Sequence, residues 1–163
     1  MPQGKVKGPV LFCYDGSEGS RGALRAAAEL IEPDVDMVVL SVWEPIAVRL
    51  ALAGAFAAGP IPSEGDMDEQ EEAFARAAAE DGARRAVEHG YKASARTTVS
   101  ANGIPRAILD VAEEISARLI VCGQRGRGRL RAALLGSVSH ALAAHAVRPV
   151  LIAPEEAPEP LPG

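Results

Sequence analysis

Apolar residues along the chain fall into short continuous runs separated by segments with helical spacing. Continuous runs are typical of strands buried on both faces of a parallel sheet. They occupy residues 10–14, 37–42, 119–122 and 150–152. A more polar stretch at 92–100, with Thr97 and Thr98, suits a strand at a sheet edge. The pattern therefore predicts five strands.

Four helical segments lie between these strands. The first follows Ser17, a favourable N-cap, and ends before Pro33. An Ala-rich segment with an acidic start covers 66–89, and Ile104, Ile108 and Val111 trace one face of a helix over 104–115. The last helix covers 136–147. Strands alternating with helices predict an open, mostly parallel α/β sheet with right-handed crossovers and helices on both faces.

The length of 163 residues is that of one domain, which we place at residues 1–153. Residues 43–65 form an Ala/Gly/Pro-rich insertion that we expect to be a loop. It would cover an edge of the sheet or one end of a ligand site, or offer a partner surface. Residues 154–163 are rich in Pro and Glu and predict a flexible tail.

Composition narrows the classes of partner. The net charge is −5, from 17 basic and 22 acidic residues, and aromatic residues make up 4% of the chain, so we expect no nucleic-acid partner. The longest apolar stretch, 46–61, contains Arg49 and two glycines and falls short of the roughly 20 residues of a membrane span. Without a secretory signal pattern, we expect a cytoplasmic protein with no membrane partner. Cys13 and Cys122 are expected to be buried thiols in a reducing compartment, with a redox pair as the alternative.

The most informative motif is a split glycine loop. Gly123-Gln-Arg-Gly126 is followed by nine residues and then Gly136-Ser137, directly after a buried strand and before a helix. Ligands of open α/β sheets bind beyond the carboxyl ends of strands, and a helix N-terminus there attracts anions. The loop is therefore expected to wrap a polyphosphate, with hydroxyl donors at Ser137 and Ser139.

Two familiar phosphate loops do not match these residues. A Walker A loop needs Gly-Lys at a strand-to-helix turn, which is absent here. A Rossmann fingerprint begun at Gly126 has Arg131 where its third glycine belongs. The loop is thus of a third kind.

The Gly-x2-Gly-x9-Gly-Ser spacing, preceded by Leu-Ile-Val-Cys and followed by Val-Ser-His-Ala-Leu, resembles the ATP-binding branch of the universal stress protein family. The Asp15-Gly-Ser turn matches as well, and the similarity covers about residues 9–153. The resemblance implies an adenine nucleotide alpha hydrolase-like fold, an open five-stranded parallel sheet with order 3-2-1-4-5. It also implies a nucleotide at the split between the first and fourth strands, and a homodimer formed through the last strand.

By position, the resemblance implies that Asp15 contacts adenine or ribose, that Val42 lines the base, and that the glycine loop holds the phosphates. Gln124 stands where a small hydroxyl residue is commoner in the family. No catalytic residue and no metal ligand is assigned. The complete set of expected nucleotide-binding residues is Asp15, Gly16, Ser17, Val42, Gly123, Gln124, Arg125, Gly126, Gly136, Ser137, Val138 and Ser139.

Arginines occupy every second position of the loop. They form either a solvated basic flap or a set of cations that pairs with the γ-phosphate or with a partner's carboxylates. These residues are Arg125, Arg127, Arg129 and Arg131.

The function expected from these features is that of an ATP-binding stress-response protein that signals through bound adenine nucleotide, with Mg²⁺ shared among the phosphate oxygens and an unidentified protein partner. A slow ATPase or autophosphorylating enzyme is one alternative, although no general base, catalytic lysine or Walker B carboxylate is identified. A dimeric stress protein without nucleotide is the other, and the intact glycine motif argues against it.

Overall fold

The alternation of strands and helices is preserved in the computed structural model, which describes Val6 and residues 8–52, 64–126 and 135–154. The described part contains ten elements. In chain order they are β1 (Val10–Cys13), α1 (Glu18–Leu30), β2 (Asp36–Trp43), α2 (Ile46–Leu52), α3 (Glu64–Glu88), β3 (Lys92–Val99), α4 (Ile104–Glu114), β4 (Leu119–Gly123), α5 (Ser137–His145) and β5 (Val150–Ala153).

All five strands form one parallel sheet with the order β3-β2-β1-β4-β5. This confirms the predicted sheet and its order. The central strand β1 is the most deeply buried, since Val10, Leu11 and Phe12 are each 0% exposed. The polar strand β3 lies at one edge, as its threonines predicted.

Each face of the sheet is covered by two of the longer helices. Side chains alternate across a strand, so Phe12 faces α1 and α3 while its neighbour Leu11 faces α4 and α5. Leu24 of α1 belongs to the first core, and Ile108 of α4 and Leu142 of α5 belong to the second. The prediction of helices on both faces is confirmed.

The segment 43–65 contains a short helix, α2, that the sequence pattern did not predict. The backbone N–H of Ile46 donates to Oδ1 of Asp68 at 2.8 Å. The guanidinium of Arg49 forms an ion pair with Oε1 of Glu71 at 3.6 Å. A carboxylate at a helix N-terminus is stabilising, so Asp68 of α3 caps the start of α2. Residues 53–63 of the expected loop, and the tail from residue 155, lie outside the described residues.

Among the described helices, none combines the length and the apolar character that a membrane span requires.

Candidate functional site

A cavity of about 570 Å³ opens at the carboxyl ends of β1, β2 and β4. From these ends the chain leaves β1 for α1 on one face of the sheet, and leaves β4 for α5 on the opposite face. Such a divergence between neighbouring parallel strands is where ligands bind in open α/β sheets. The volume lies within the roughly 300–1,000 Å³ of small-molecule sites.

Most of the residues expected to bind nucleotide line this cavity. The structure brings together Asp15, Val42, Gly123, Gln124, Arg125, Gly126, Gly136, Ser137, Val138 and Ser139. Gly16 and Ser17 are not among its lining residues. Of the four loop arginines, only Arg125 lies within the described part of the chain.

Eight further residues line the cavity that the sequence pattern did not identify as site residues. Four of them, Leu40, Ile104, Ile108 and Cys122, carry the signature of core residues, because their apolar spacing is all that the sequence shows. Only the meeting of several strand ends with α4 exposes part of each side chain to one space. The missed residues are Cys13, Tyr14, Ser20, Leu40, Ile104, Ile108, Cys122 and Leu135.

Gly16 and Ser17 shape the turn that presents Asp15. Oδ1 of Asp15 accepts hydrogen bonds from the Ser17 backbone N–H at 3.0 Å and from the Ser17 hydroxyl at 2.6 Å. Gly16 has φ = 78°, in the left-handed region that favours glycine. The Ser17 hydroxyl also accepts from the Ser20 N–H at 3.2 Å, which confirms Ser17 as the N-cap of α1.

Glycines let the first turn of α1 pack directly on the loop after β4. A Cβ added at Gly19 would collide with the carbonyl oxygen of Arg125, and one at Gly123 would lie 2.8 Å from the carbonyl oxygen of Gly19. A Cβ at Gly126 would lie 2.8 Å from Oδ2 of Asp15. The Asp15 turn and the glycine loop are therefore in close contact, as expected if their strands are neighbours.

Hydrogen bonds within the main chain close the split loop. The carbonyl oxygen of Gln124 accepts from the Gly136 N–H at 2.9 Å and from the Ser139 hydroxyl at 2.8 Å. Ser139 is 2% exposed, and its hydroxyl also lies 3.0 Å from the Gly136 carbonyl oxygen. Ser139 thus lines the cavity as expected, but its one proton is engaged by the loop. Gln124 holds the loop together through its carbonyl oxygen and not through its side chain.

The N-terminus of α5 presents backbone N–H groups that the helix itself leaves without an acceptor. Its N-cap is Gly136, which makes no side-chain cap. The first hydrogen bond of the helix runs from the His140 N–H to the Gly136 carbonyl oxygen at 2.9 Å. The N–H groups of Ser137, Val138 and Ser139 therefore lack an acceptor within the helix and carry its partial positive charge.

The end of β1 is held in place from both neighbouring elements. The Tyr14 hydroxyl donates to Oδ2 of Asp81 on α3 at 2.7 Å, and the Ser41 hydroxyl donates to the Tyr14 carbonyl oxygen. A hydrogen bond from Arg85 lowers the pKa of Asp81, which keeps this carboxylate an acceptor. These two hydrogen bonds position the strand end that carries Asp15.

The opposite end of the cavity is apolar. Leu40 and Val42 come from β2, and Ile104 and Ile108 come from α4. The cavity thus has one end suited to an apolar ring and one end suited to an anion, with the carboxylate of Asp15 on its wall.

The fold and this cavity define an open α/β protein with a small-molecule crevice at the switch point of its parallel sheet. A model of the universal stress protein family matches residues 8–154. Universal stress protein YxiE of Bacillus subtilis is 32% identical over 145 residues, covering 88% of this chain and 96% of that protein. The chain belongs to the universal stress protein family.

Solved structures with the same fold include two in complex with adenine nucleotides. A universal stress protein family member from Arabidopsis thaliana with AMP bound has a TM-score of 0.64 at 17% identity, covering 92% of this chain and 93% of that chain. The universal stress protein from Archaeoglobus fulgidus in complex with dAMP has a TM-score of 0.58 at 22% identity, covering 91% and 98%.

Proposed function

We propose that the protein binds adenine nucleotide in this cavity and acts as a regulatory protein whose conformation depends on the bound nucleotide. The observation that carries the proposal is the arrangement of the cavity. The first N–H groups of α5, which have no acceptor within the helix, lie at one end, and an apolar wall from β2 and α4 lies at the other. A nucleotide has the same polarity, since an apolar base is joined through ribose to an anionic phosphate.

At the phosphate end, the N–H groups of Ser137 and Val138 would donate to phosphate oxygens, supported by the helix dipole. The Ser137 hydroxyl makes no side-chain hydrogen bond within the described part of the chain, so it is a further donor. Arg125 lines the same end and would add positive charge. The anionic Asp15 is suited to the hydroxyl groups of ribose and would repel a phosphate placed beside it.

At the base end, Val42 and Leu40 would pack against one face of adenine and Ile104 and Ile108 against the other. The adenine preference is supported by relatives: the Arabidopsis protein has AMP bound and the Archaeoglobus protein is in complex with dAMP. We propose ATP as the ligand of this chain, because the glycine loop is long enough to follow more than one phosphate.

Magnesium would arrive with the triphosphate. Within the described residues, no group of three His, Cys, Asp or Glu side chains could hold a metal ion. Mg²⁺ does not need such a cage, because it is commonly bound by substrate phosphates with one or two carboxylates and several waters. Asp15 is the carboxylate that lines the cavity within the described ranges.

A regulatory role follows from what the nucleotide would connect. The nucleotide would contact the turn after β1, which leads to α1 on one face of the sheet. It would also contact the loop after β4 and the start of α5, which lie toward the opposite face. Binding would favour the conformation in which these segments are closed on one another, and it would stabilise the fold by mass action. An unidentified protein partner could then distinguish the two states.

Calorimetric titration of the purified, nucleotide-stripped protein tests this proposal. We expect ATP and AMP to bind with one site per chain and GTP to bind at least about tenfold more weakly, a difference of about 1.4 kcal/mol. ATP at a hundred times its Kd should also stabilise the fold by about 2.7 kcal/mol, visible as a rise in Tm. Absence of binding and of thermal shift for both adenine nucleotides would refute the proposal and favour a nucleotide-free stress protein.

We further propose that the chain forms a homodimer through β5. This strand is at the sheet edge, and its Val150, Leu151 and Ile152 are only partly buried. Unprotected apolar edges favour pairing with a second copy. Light scattering is expected to give the mass of two chains, and Leu151→Lys should give that of one. A wild-type mass of one chain at all concentrations would contradict this.

A further inference from the structure

Two free thiols lie side by side on the central strands of the sheet. β1 and β4 pair in parallel with Leu11 opposite Ile120 and Phe12 opposite Val121, so the next pair along this register is Cys13 and Cys122. Both side chains belong to the core face covered by α4 and α5. Neighbouring strands are about 4.8 Å apart, within the roughly 4.4–6.8 Å between the Cα atoms of a disulfide.

The same two thiols also form part of the cavity wall. Cys13 and Cys122 both line it, and Cys122 is 4% exposed whereas Cys13 is partly exposed. Burial is the main cause of the raised pKa of Cys13, and the neighbouring Cys122 raises this pKa further. Cys13 is therefore the thiol that a small solute in the cavity reaches first.

We propose that Cys13 and Cys122 form a reversible oxidation site, in which hydrogen peroxide closes an intramolecular disulfide in the nucleotide-free protein and bound nucleotide prevents it. The oxidation site stands on the strand register and the cavity alone. Only the protection by nucleotide rests on the proposed function.

The chemistry balances with one molecule of peroxide. The Cys13 thiolate attacks one peroxide oxygen, the O–O bond breaks, and after protonation the products are a sulfenic acid and water. The Cys122 sulfur then attacks the Cys13 sulfur, the S–O bond breaks, and a second water leaves. In sum, two thiols and one hydrogen peroxide give one disulfide and two waters, and a dithiol reductant reverses the change.

The surroundings determine the speed and the reversibility of this step. Burial raises the pKa of Cys13 well above its ordinary value and that of Cys122 to about 11, so little thiolate is present at neutral pH. Oxidation is then slow, which suits sustained exposure to peroxide more than a brief pulse. Side chains that point straight out of neighbouring strands must lean together to bond, and a strained disulfide is easily reduced.

Oxidation and nucleotide binding use the same space. The disulfide would draw together the ends of β1 and β4, which carry Asp15 and Gly123, and so would alter both walls of the cavity. A nucleotide in the cavity would in turn cover the Cys13 sulfur. Because the disulfide would alter the walls that contact the nucleotide, we expect the oxidised protein to bind nucleotide more weakly.

The test is peroxide treatment of the full chain, followed by peptide mass mapping without reductant. We expect a cross-link between the peptides containing Cys13 and Cys122 that disappears with dithiothreitol. AMP at a hundred times its Kd should slow the cross-link about a hundredfold, because about one per cent of the protein stays unliganded. Calorimetry on the oxidised protein should show AMP affinity lowered at least about tenfold. Cys13→Ser and Cys122→Ser are the matched controls and should give no intramolecular cross-link.

Several results would overturn the proposal. The proposal is wrong if the folded protein still has two free thiols after prolonged peroxide treatment. It is also wrong if disulfides form only between chains. A cross-linking rate unchanged by AMP, in protein that calorimetry shows to bind AMP, would remove the nucleotide protection. If AMP fails to bind but the cross-link forms, the proposed function is wrong and the oxidation site remains.

Discussion

Gly126→Val is expected to abolish adenine-nucleotide binding while the protein stays folded. A Cβ at this position would already lie 2.8 Å from Oδ2 of Asp15, and the two methyl groups of valine extend further. The backbone of Gly126 is not left-handed, so the effect is purely steric. The side chain would push the Asp15 carboxylate and the glycine loop apart. We expect an affinity loss of at least about a hundredfold, or about 2.7 kcal/mol, in calorimetric titration with ATP.

Gly65→Val is the matched control for this variant. It introduces the same side chain at an exposed position of α3, where, among the described residues, an added Cβ would meet no atom within 4 Å apart from the adjoining residues and the helix's own backbone. We expect unchanged ATP affinity and a stability change within about 1 kcal/mol. If Gly126→Val binds ATP as tightly as this control does, the contact between Asp15 and the loop does not shape the site.

Gly19→Ala is expected to cause a large loss of stability together with weaker binding. The added methyl group would collide with the carbonyl oxygen of Arg125, a backbone atom that cannot rotate away. Overpacking of this kind costs about 1–3 kcal/mol, and alanine gains roughly 1 kcal/mol over glycine in a helix, so the net loss reaches about 2 kcal/mol when a backbone atom must move. For a domain of this size the net loss corresponds to a Tm lower by several degrees, at about 2–4 °C per kcal/mol.

The weaker binding of Gly19→Ala arises because the added methyl group forces α1 away from Arg125, and Arg125 lines the cavity. Gly65→Ala again serves as control, since Gly65 is another helical glycine and no other part of the described chain crowds its position. Thermal unfolding should show the control at or above the wild-type Tm. Equal Tm values for Gly19→Ala and wild type would show that the two segments are not packed as described.

The sheet was predictable because its signal is local and strong. The run around Phe12 has no polar interruption and needs burial on both faces, which only a central strand provides. The helical spacing of Ile108 and Val111 is an equally local signal, and both residues lie on the buried face of α4. The position of the site followed from topology, because glycines after one strand and Asp15 after its neighbour must meet at one end of a parallel sheet.

The missed features depend on contacts between distant parts of the chain. The helix α2 is capped by Asp68, 22 residues beyond Ile46, which no local pattern reveals. Gly19 appears in the sequence as an ordinary helix residue, yet its importance lies in its contact with Arg125. The hydrogen bond from the Ser139 hydroxyl to the Gln124 carbonyl oxygen joins residues 15 positions apart, and no local pattern indicated it. Hydrogen-bond partners of this kind are visible only in three dimensions.

A crystal structure of the protein grown with ATP and Mg²⁺ tests the central claim most directly. The account predicts phosphate oxygens within hydrogen-bond distance of the Ser137 and Val138 N–H groups, with adenine packed against Val42. A cavity that holds only water at saturating ATP, or a nucleotide bound away from the start of α5, would contradict it.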